Sequence, residues 1–323
     1  MKKRTKICLI IAAVLCFVGI VIGMVGLVMM TFDLTKLSTE NFETATYELK
    51  DYFNKIDIDV YTADIEIALS EDEVCRVVCY ERARERHRAY IKDRVLILDT
   101  VEKTNWYDYI GVAIGKAKVT VYLPKAEYES VSLELSTGDV IISGGFNIKN
   151  VEIETDTGDV TLDTCMIEGI DISTDTGDIS IKTSEAQNIK IETDTGNINM
   201  THLKCESIET EGGSGYIYVE NVTSNQSIYI VNSTGDVSVS RSNAGVLIVR
   251  TSTGDVKLTS ADADEFIWVK TDTGDISGSL ASDKIFEVKS SSGKVSVPQN
   301  AGDERCEIVT STGKVNIIIN KTK

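Results

Sequence analysis

The sequence predicts an all-β chain, a single-stranded parallel β-solenoid of about ten rungs, with an irregular β cap and one transmembrane helix before it. Three observations carry this. A Thr/Ser–Gly step recurs ten times, at Gly138, Gly158, Gly177, Gly196, Gly215, Gly235, Gly254, Gly274, Gly293 and Gly313, and every interval is 19 or 20 residues. A fixed period this short marks stacked repeats. Apolar residues alternate with polar ones on both sides of each glycine, the pattern of a strand with one buried face. Residues 7–30 carry no charge.

The elements follow in chain order. Residues 1–6 hold Lys2, Lys3, Arg4 and Lys6 and form a cytoplasmic stub. Residues 7–30, as a helix, would span roughly 36 Å, enough to cross a hydrocarbon core of ~30 Å. The charges lie only on its N-terminal side, which places the N-terminus in the cytoplasm and the rest outside a bacterial cell membrane. A cleaved leader would have a shorter apolar run and small residues at its end, and Val28-Met29-Met30 fits that poorly. Residues 31–51 are a polar connector. Residues 52–130 form an irregular β cap that closes the open end of the stack. Within it Asp57–Ile67 echoes the repeat with Ala63 in the glycine slot, and Ala63 to Gly138 is close to four periods.

Residues 131–323 are the repeats. Seven before each glycine stand residues such as Val151, Ile170 and Ile189, and two after it Val160, Ile179 and Ile198. Each rung therefore has a strand on either side of a corner. Equivalent residues stack at ~4.8 Å, giving a rod of roughly 48 Å. The glycine takes a corner that a Cβ would obstruct, and the Thr or Ser before it can bond the turn backbone. Lys321 and Lys323 at the far end would blunt the last edge.

Composition narrows the function. The net charge is −17; the 33 cations less the four of the stub leave 29 against 50 acids, a net of −21 outside it. That excludes nucleic acid as a partner and leaves cations or basic partners. Cys75 and Cys79, four apart on a strand, and Cys165 and Cys205, two rungs apart, are too distant to bridge. They and Cys306 are expected as buried free thiols, which suits a Gram-positive surface. His87 and His202 stand in no cluster of ligand types, which leaves a zinc site as a remote alternative.

Three groups could carry chemistry. Asp156, Asp159, Asp175, Asp178 and Asp194 flank the corner glycines of successive rungs. Stacked carboxylates repel, and Ca²⁺ would relieve them with oxygen ligands; Asp is equally a good turn former. No other cofactor is indicated. Paired acids could cleave sugars as other β-helices do, but they sit on the regular pattern, so no catalytic residue is assigned. The basic run Arg82–Arg88 with Trp106-Tyr107-Asp108-Tyr109 could meet headgroups or wall polymer, or form a solvated hairpin.

The order of basic tail, single span, a strand like Ile56–Ile67, the segment Val119-Thr120-Val121-Tyr122-Leu123-Pro124 and then Thr-Gly-Asp-Val/Ile repeats resembles the bacterial "putative adhesin" domain of unknown function, including LiaG-like membrane-anchored proteins. The resemblance covers about residues 50–320. It implies a β-solenoid at the cell envelope and supplies no catalytic residues. The expectation is a non-enzymatic surface interaction or scaffold module that meets a cell-wall polymer or envelope protein. The alternatives are an envelope-stress accessory factor with a membrane partner, and a carbohydrate-active enzyme.

Overall fold

A computed structural model describes residues 12, 14–22, 24, 41–83, 85–101 and 115–320. Residues 14–22 are helical. Among the described residues no helix is long and apolar enough to cross a membrane, and the expected span 7–30 lies mostly outside them.

The repeats coil as the period requires. A typical rung is a strand of 11 residues, such as Asn147–Thr157, then a glycine corner, then a strand of four, such as Val160–Asp163. The long strands stack in parallel as one sheet and the short strands as another. The register is residue on equivalent residue: Val151 faces Ile170, Ile153 faces Ile172 and Val160 faces Ile179. These β-branched side chains fill the space between the sheets and are buried. Each contributes roughly 1.5–3 kcal/mol by leaving water. Along each long strand the alternation slips once, at Lys149–Asn150 in the first of these rungs, where both are exposed and the ladder skips Lys149.

The corner is set by close approach. Gly158 N–H donates to the Thr176 carbonyl at 2.9 Å, and Val160 N–H to the Asp178 carbonyl at 2.9 Å. A Cβ on Gly177 would overlap the Gly158 carbonyl oxygen, and the same holds from rung to rung. Of the hydroxyls beside the glycine, Ser292 donates to the Ser311 carbonyl at 3.3 Å; others that bond this turn lie elsewhere. They belong to buried threonines three residues before it: Thr193 donates to the Gly177 carbonyl at 3.4 Å and Thr271 to the Gly254 carbonyl at 3.0 Å.

A second corner, which holds a glycine in the Gly138 rung (Gly144) but not in the next six, was not expected. Six residues after the first stand Thr164, Thr183, His202, Asn221, Arg241 and Ser260, all left-handed with φ between 46° and 57°. Such a residue costs about 1–2 kcal/mol over the right-handed form. The interlocking amides offset it: Thr183 N–H donates to the Thr201 carbonyl at 3.0 Å and His202 N–H to the Glu220 carbonyl at 3.0 Å.

Both ends depart from sequential stacking. Ala63 does not lie four rungs from Gly138; it lies directly beside it, with Ala63 N–H donating to the Thr137 carbonyl at 3.1 Å. Lys55–Thr62 and Asp64–Leu69 are thus a regular rung of the stack. The chain then runs outward, and Val95–Thr100 and Lys118–Leu123 add a further parallel rung on the outer side. Antiparallel strands finish this end: His87–Lys92 on the long-strand sheet, Cys75–Arg82 and then Phe42–Leu49 on the short-strand sheet. Part of the expected connector is therefore a strand. At the other end the last two rungs are inverted. Arg305–Thr312 and Val315–Ile319 pair with the Gly274 rung on one side and with Ile285–Ser290 and Val295–Ser296 on the other. The exposed edge is the Gly293 rung, not the chain terminus, and Lys321–Lys323 lie outside the described residues. That edge is blunted by a strand of only two residues, with Pro298 just beyond it.

Cys75, Cys79, Cys165, Cys205 and Cys306 are buried free thiols, as expected. Burial pushes Cys306 up to about 12 and Cys165 up to about 11, so they stay protonated at neutral pH.

Two outcomes test the packing. Gly177→Ala forces two rungs apart and should cost about 3 kcal/mol or more in denaturant unfolding, whereas Ala63→Gly, at the slot that already holds a Cβ, should cost no more than about 1 kcal/mol. Thr210 is fully buried in an otherwise apolar row, and its hydroxyl has no partner among the described residues. Thr210→Val should therefore stabilise the protein by about 1–2 kcal/mol.

Candidate functional site

The corner aspartates serve the stack itself. The carboxylate after each glycine reaches one rung up and accepts the backbone amide of its own successor. Asp159 N–H donates to Asp139 Oδ1 at 3.0 Å, Asp178 N–H to Asp159 Oδ1 at 2.8 Å, and Asn197 N–H to Asp178 Oδ1 at 2.7 Å. The series resumes with Asp255 N–H on Asp236 Oδ1 at 2.8 Å and crosses the inverted end with Lys314 N–H on Asp275 Oδ1 at 2.7 Å. Asn197 continues it through its amide oxygen, accepting from Tyr216 N–H at 2.9 Å. The five residues named for calcium therefore divide. Asp159 and Asp178 commit one oxygen each to an amide, while Asp156, Asp175 and Asp194 are exposed on the other side of the glycine.

The described arginines of the basic run are paired within the cap. Arg82 lies 3.5 Å from Glu85, Arg86 lies 3.1 Å from Glu43, and Arg88 grips Asp99 at 2.6 Å while its guanidinium covers the Tyr90 ring. Arg84 and Trp106–Tyr109 lie outside the described residues. Burial raises the Glu85 carboxyl, against the opposing pull of Arg82 and His87. His87, expected apart from other ligand types, is buried next to Glu81 and Cys79. The strand Cys75–Arg82 and its return bring together residues whose sequence spacing gave no ligand pattern.

The outer face of the long-strand sheet was missed. Residues four, six and eight before each glycine point away from the core. In the early rungs these rows are polar and acidic, with Glu134, Glu152, Glu154, Asp171, Glu209 and Glu211. Over the Gly235, Gly254 and Gly274 rungs they become apolar and aromatic. Tyr229 faces Ile248, Ile248 faces Trp268, and Val246 faces Phe266, so three adjacent rungs carry one continuous patch, with Val231 beside it. All six are partly exposed. Beside the patch Arg250 faces Lys270, Arg305 faces Phe266 and Glu307 faces Trp268; Lys270 pairs with Asp272 at 3.3 Å and Arg305 with Glu287 at 2.9 Å. Aromatic side chains turned outward on a regular sheet do not add to the core. Exposed apolar patches of this kind are common at contact surfaces. Tyr and Trp rings stack on the apolar faces of sugars, and Arg or Lys beside them meets anionic groups. The signal was in the sequence, in the polar-facing rows rather than at the glycines.

The Toastrack DUF4097 family model matches residues 53–252 and again 204–323. Among solved structures, a putative adhesin from Bacteroides fragilis is 18% identical, over 86% of this chain and 97% of its own, with a TM-score of 0.47. A putative adhesin from Parabacteroides distasonis is 14% identical, over 87% and 98%, with a TM-score of 0.37. A protein from the same organism described as a putative lipid binding protein is 13% identical, over 87% and 98%, with a TM-score of 0.34. No curated protein matches the chain in sequence.

The carboxylate–amide series gives two effects of opposite sign. Asp178→Ala removes the acceptor of Asn197 N–H and should lower unfolding free energy by about 1 kcal/mol. Tyr216, exposed on the corner, interrupts the series. Tyr216→Asp should restore an acceptor for Asp236 and raise stability by about 0.5–1 kcal/mol in the same measurement.

Proposed function

The chain belongs to the Toastrack DUF4097 family, and from that premise we propose that it is a non-enzymatic interaction module of the bacterial cell envelope. Residues 7–30 anchor it in the membrane, and the solenoid stands outside. The outer face of the long-strand sheet is its binding face. The observation that carries this is the aromatic patch of Tyr229, Ile248, Phe266 and Trp268, bordered by Arg250 and Lys270 on an otherwise acidic chain. Its chemistry suits an anionic, sugar-bearing wall polymer: rings for the sugars, cations for the phosphates. The acidic rungs before it repel the same polymer and confine it to one end of the face. A non-enzymatic role is supported by Asp159 and Asp178, whose carboxylates are engaged in holding the coil.

The test is binding of the full-length protein, in detergent micelles, to teichoic acid and to peptidoglycan. Teichoic acid should bind, more weakly as salt rises. Trp268→Ala and Arg250→Ala should each weaken it about tenfold, equivalent to about 1.4 kcal/mol. Glu134→Ala, in the acidic half, should leave it unchanged. Equal binding by all three variants, or no binding to teichoic acid, would overturn the reading.

A further inference from the structure

We propose that Cys79, Glu81 and His87 form a binding site for one divalent transition metal of the zinc type, within the antiparallel cap. Cys79 and Glu81 stand two apart on the strand Cys75–Arg82 and so share its inward face. The chain turns back at the Arg82–Glu85 bridge and delivers His87 as the first residue of the next strand. One ligand atom from each of the three lies within 4.8 Å of the others. Three atoms so placed share a point at most about 2.8 Å from each, so zinc bonds of about 2.0–2.3 Å need a closure of roughly half an ångström. His87 Nδ1 is 2.9 Å from Glu81 Oε2, near the ~3.3 Å between two ligand atoms on one tetrahedral zinc.

Burial argues in the same direction. Cys79 is 0% exposed, Glu81 4% and His87 1%. A thiol and a carboxylate side by side in that setting are costly as anions. A dication bound by thiolate, carboxylate and neutral imidazole sums to zero charge. His87 Nε2, the ring nitrogen away from Glu81, is buried and has no partner among the described residues. The imidazole is held by its backbone: His87 N–H donates to Glu81 Oε2 at 2.6 Å, and the Tyr47 hydroxyl donates to the His87 carbonyl at 2.8 Å. Such supporting bonds orient metal ligands. Glu81 and His87 line an open cavity of about 430 Å³ together with Thr44, Tyr47 and Arg86. It offers an entry path and room for a water as fourth ligand. Arg86 and Arg88 at its rim are neutralised by Glu43 and Asp99. Thiolate, imidazole and carboxylate together select zinc or cobalt over calcium or magnesium.

The experiment titrates Co²⁺ alone into full-length protein stripped with a chelator. One equivalent should produce the near-ultraviolet thiolate-to-cobalt absorption and the visible bands of a tetrahedral site, and Zn²⁺ should displace them. Cys79→Ser should abolish the thiolate absorption. Cys75→Ser, at a buried thiol on the same face of the same strand, should retain it. His87→Gln should weaken cobalt at least tenfold while leaving the circular dichroism of the sheet unchanged. Zn²⁺ should also raise the melting temperature of the parent and not of Cys79→Ser. No absorption in the parent, or absorption that survives Cys79→Ser, overturns the proposal.

Discussion

The structure depends on how closely one rung can sit on the next at the glycine corner. Parallel pairing fixes the spacing near 4.8 Å, and at that spacing the corner backbone of each rung lies against a carbonyl oxygen of its neighbour. At the stacked glycines nothing larger than hydrogen fits. Once the corner is placed, the register has no freedom, so each apolar residue meets its counterpart and the core becomes rows of Ile and Val. The threonine hydroxyls and aspartate carboxylates reinforce that one geometry from inside and outside the turn.

Because the constraint is concentrated at the corner and the inward rows, the outward rows are left to vary. That freedom accounts for the unequal faces of the long-strand sheet, acidic where Glu152 and Glu154 stand and aromatic where Trp268 and Phe266 stand. A surface of this type can be changed rung by rung without disturbing the coil, as side chains four rungs apart do not touch.

The sequence made legible what repeats. The period located every glycine corner, and the alternation located the core from Val131 to Val315. It showed the buried thiols too. It could not show what depends on pairing between distant segments. Ala63 lies against Gly138 although 75 residues separate them, because strand order in space is set by which edges are free and not by the period. The left-handed corner passed unseen because Thr164, His202, Asn221 and Arg241 share a conformation without sharing a residue type. The corner aspartates were visible as residues, but their amide partners belong to the next rung, so composition alone left them open between turn and ligand. His87 was isolated along the chain and joins Cys79 and Glu81 only through the hairpin that folds it back.

The inverted order at the far end governs how the rod can be completed. Ile285–Ser290 and Val295–Ser296 pair only with strands that come after them in the chain. A polypeptide emerging N-terminus first can wind the rungs from Asn147 to Leu280 as they appear, but these residues, like the Lys55–Leu69 rung at the other end, must wait for partners that come later, here Arg305–Ile319. Closure therefore waits for Arg305–Ile319: the growing coil presents a bare edge until they arrive, and they become interior. A nascent chain that stalls before them leaves the Gly274 rung open to any strand nearby.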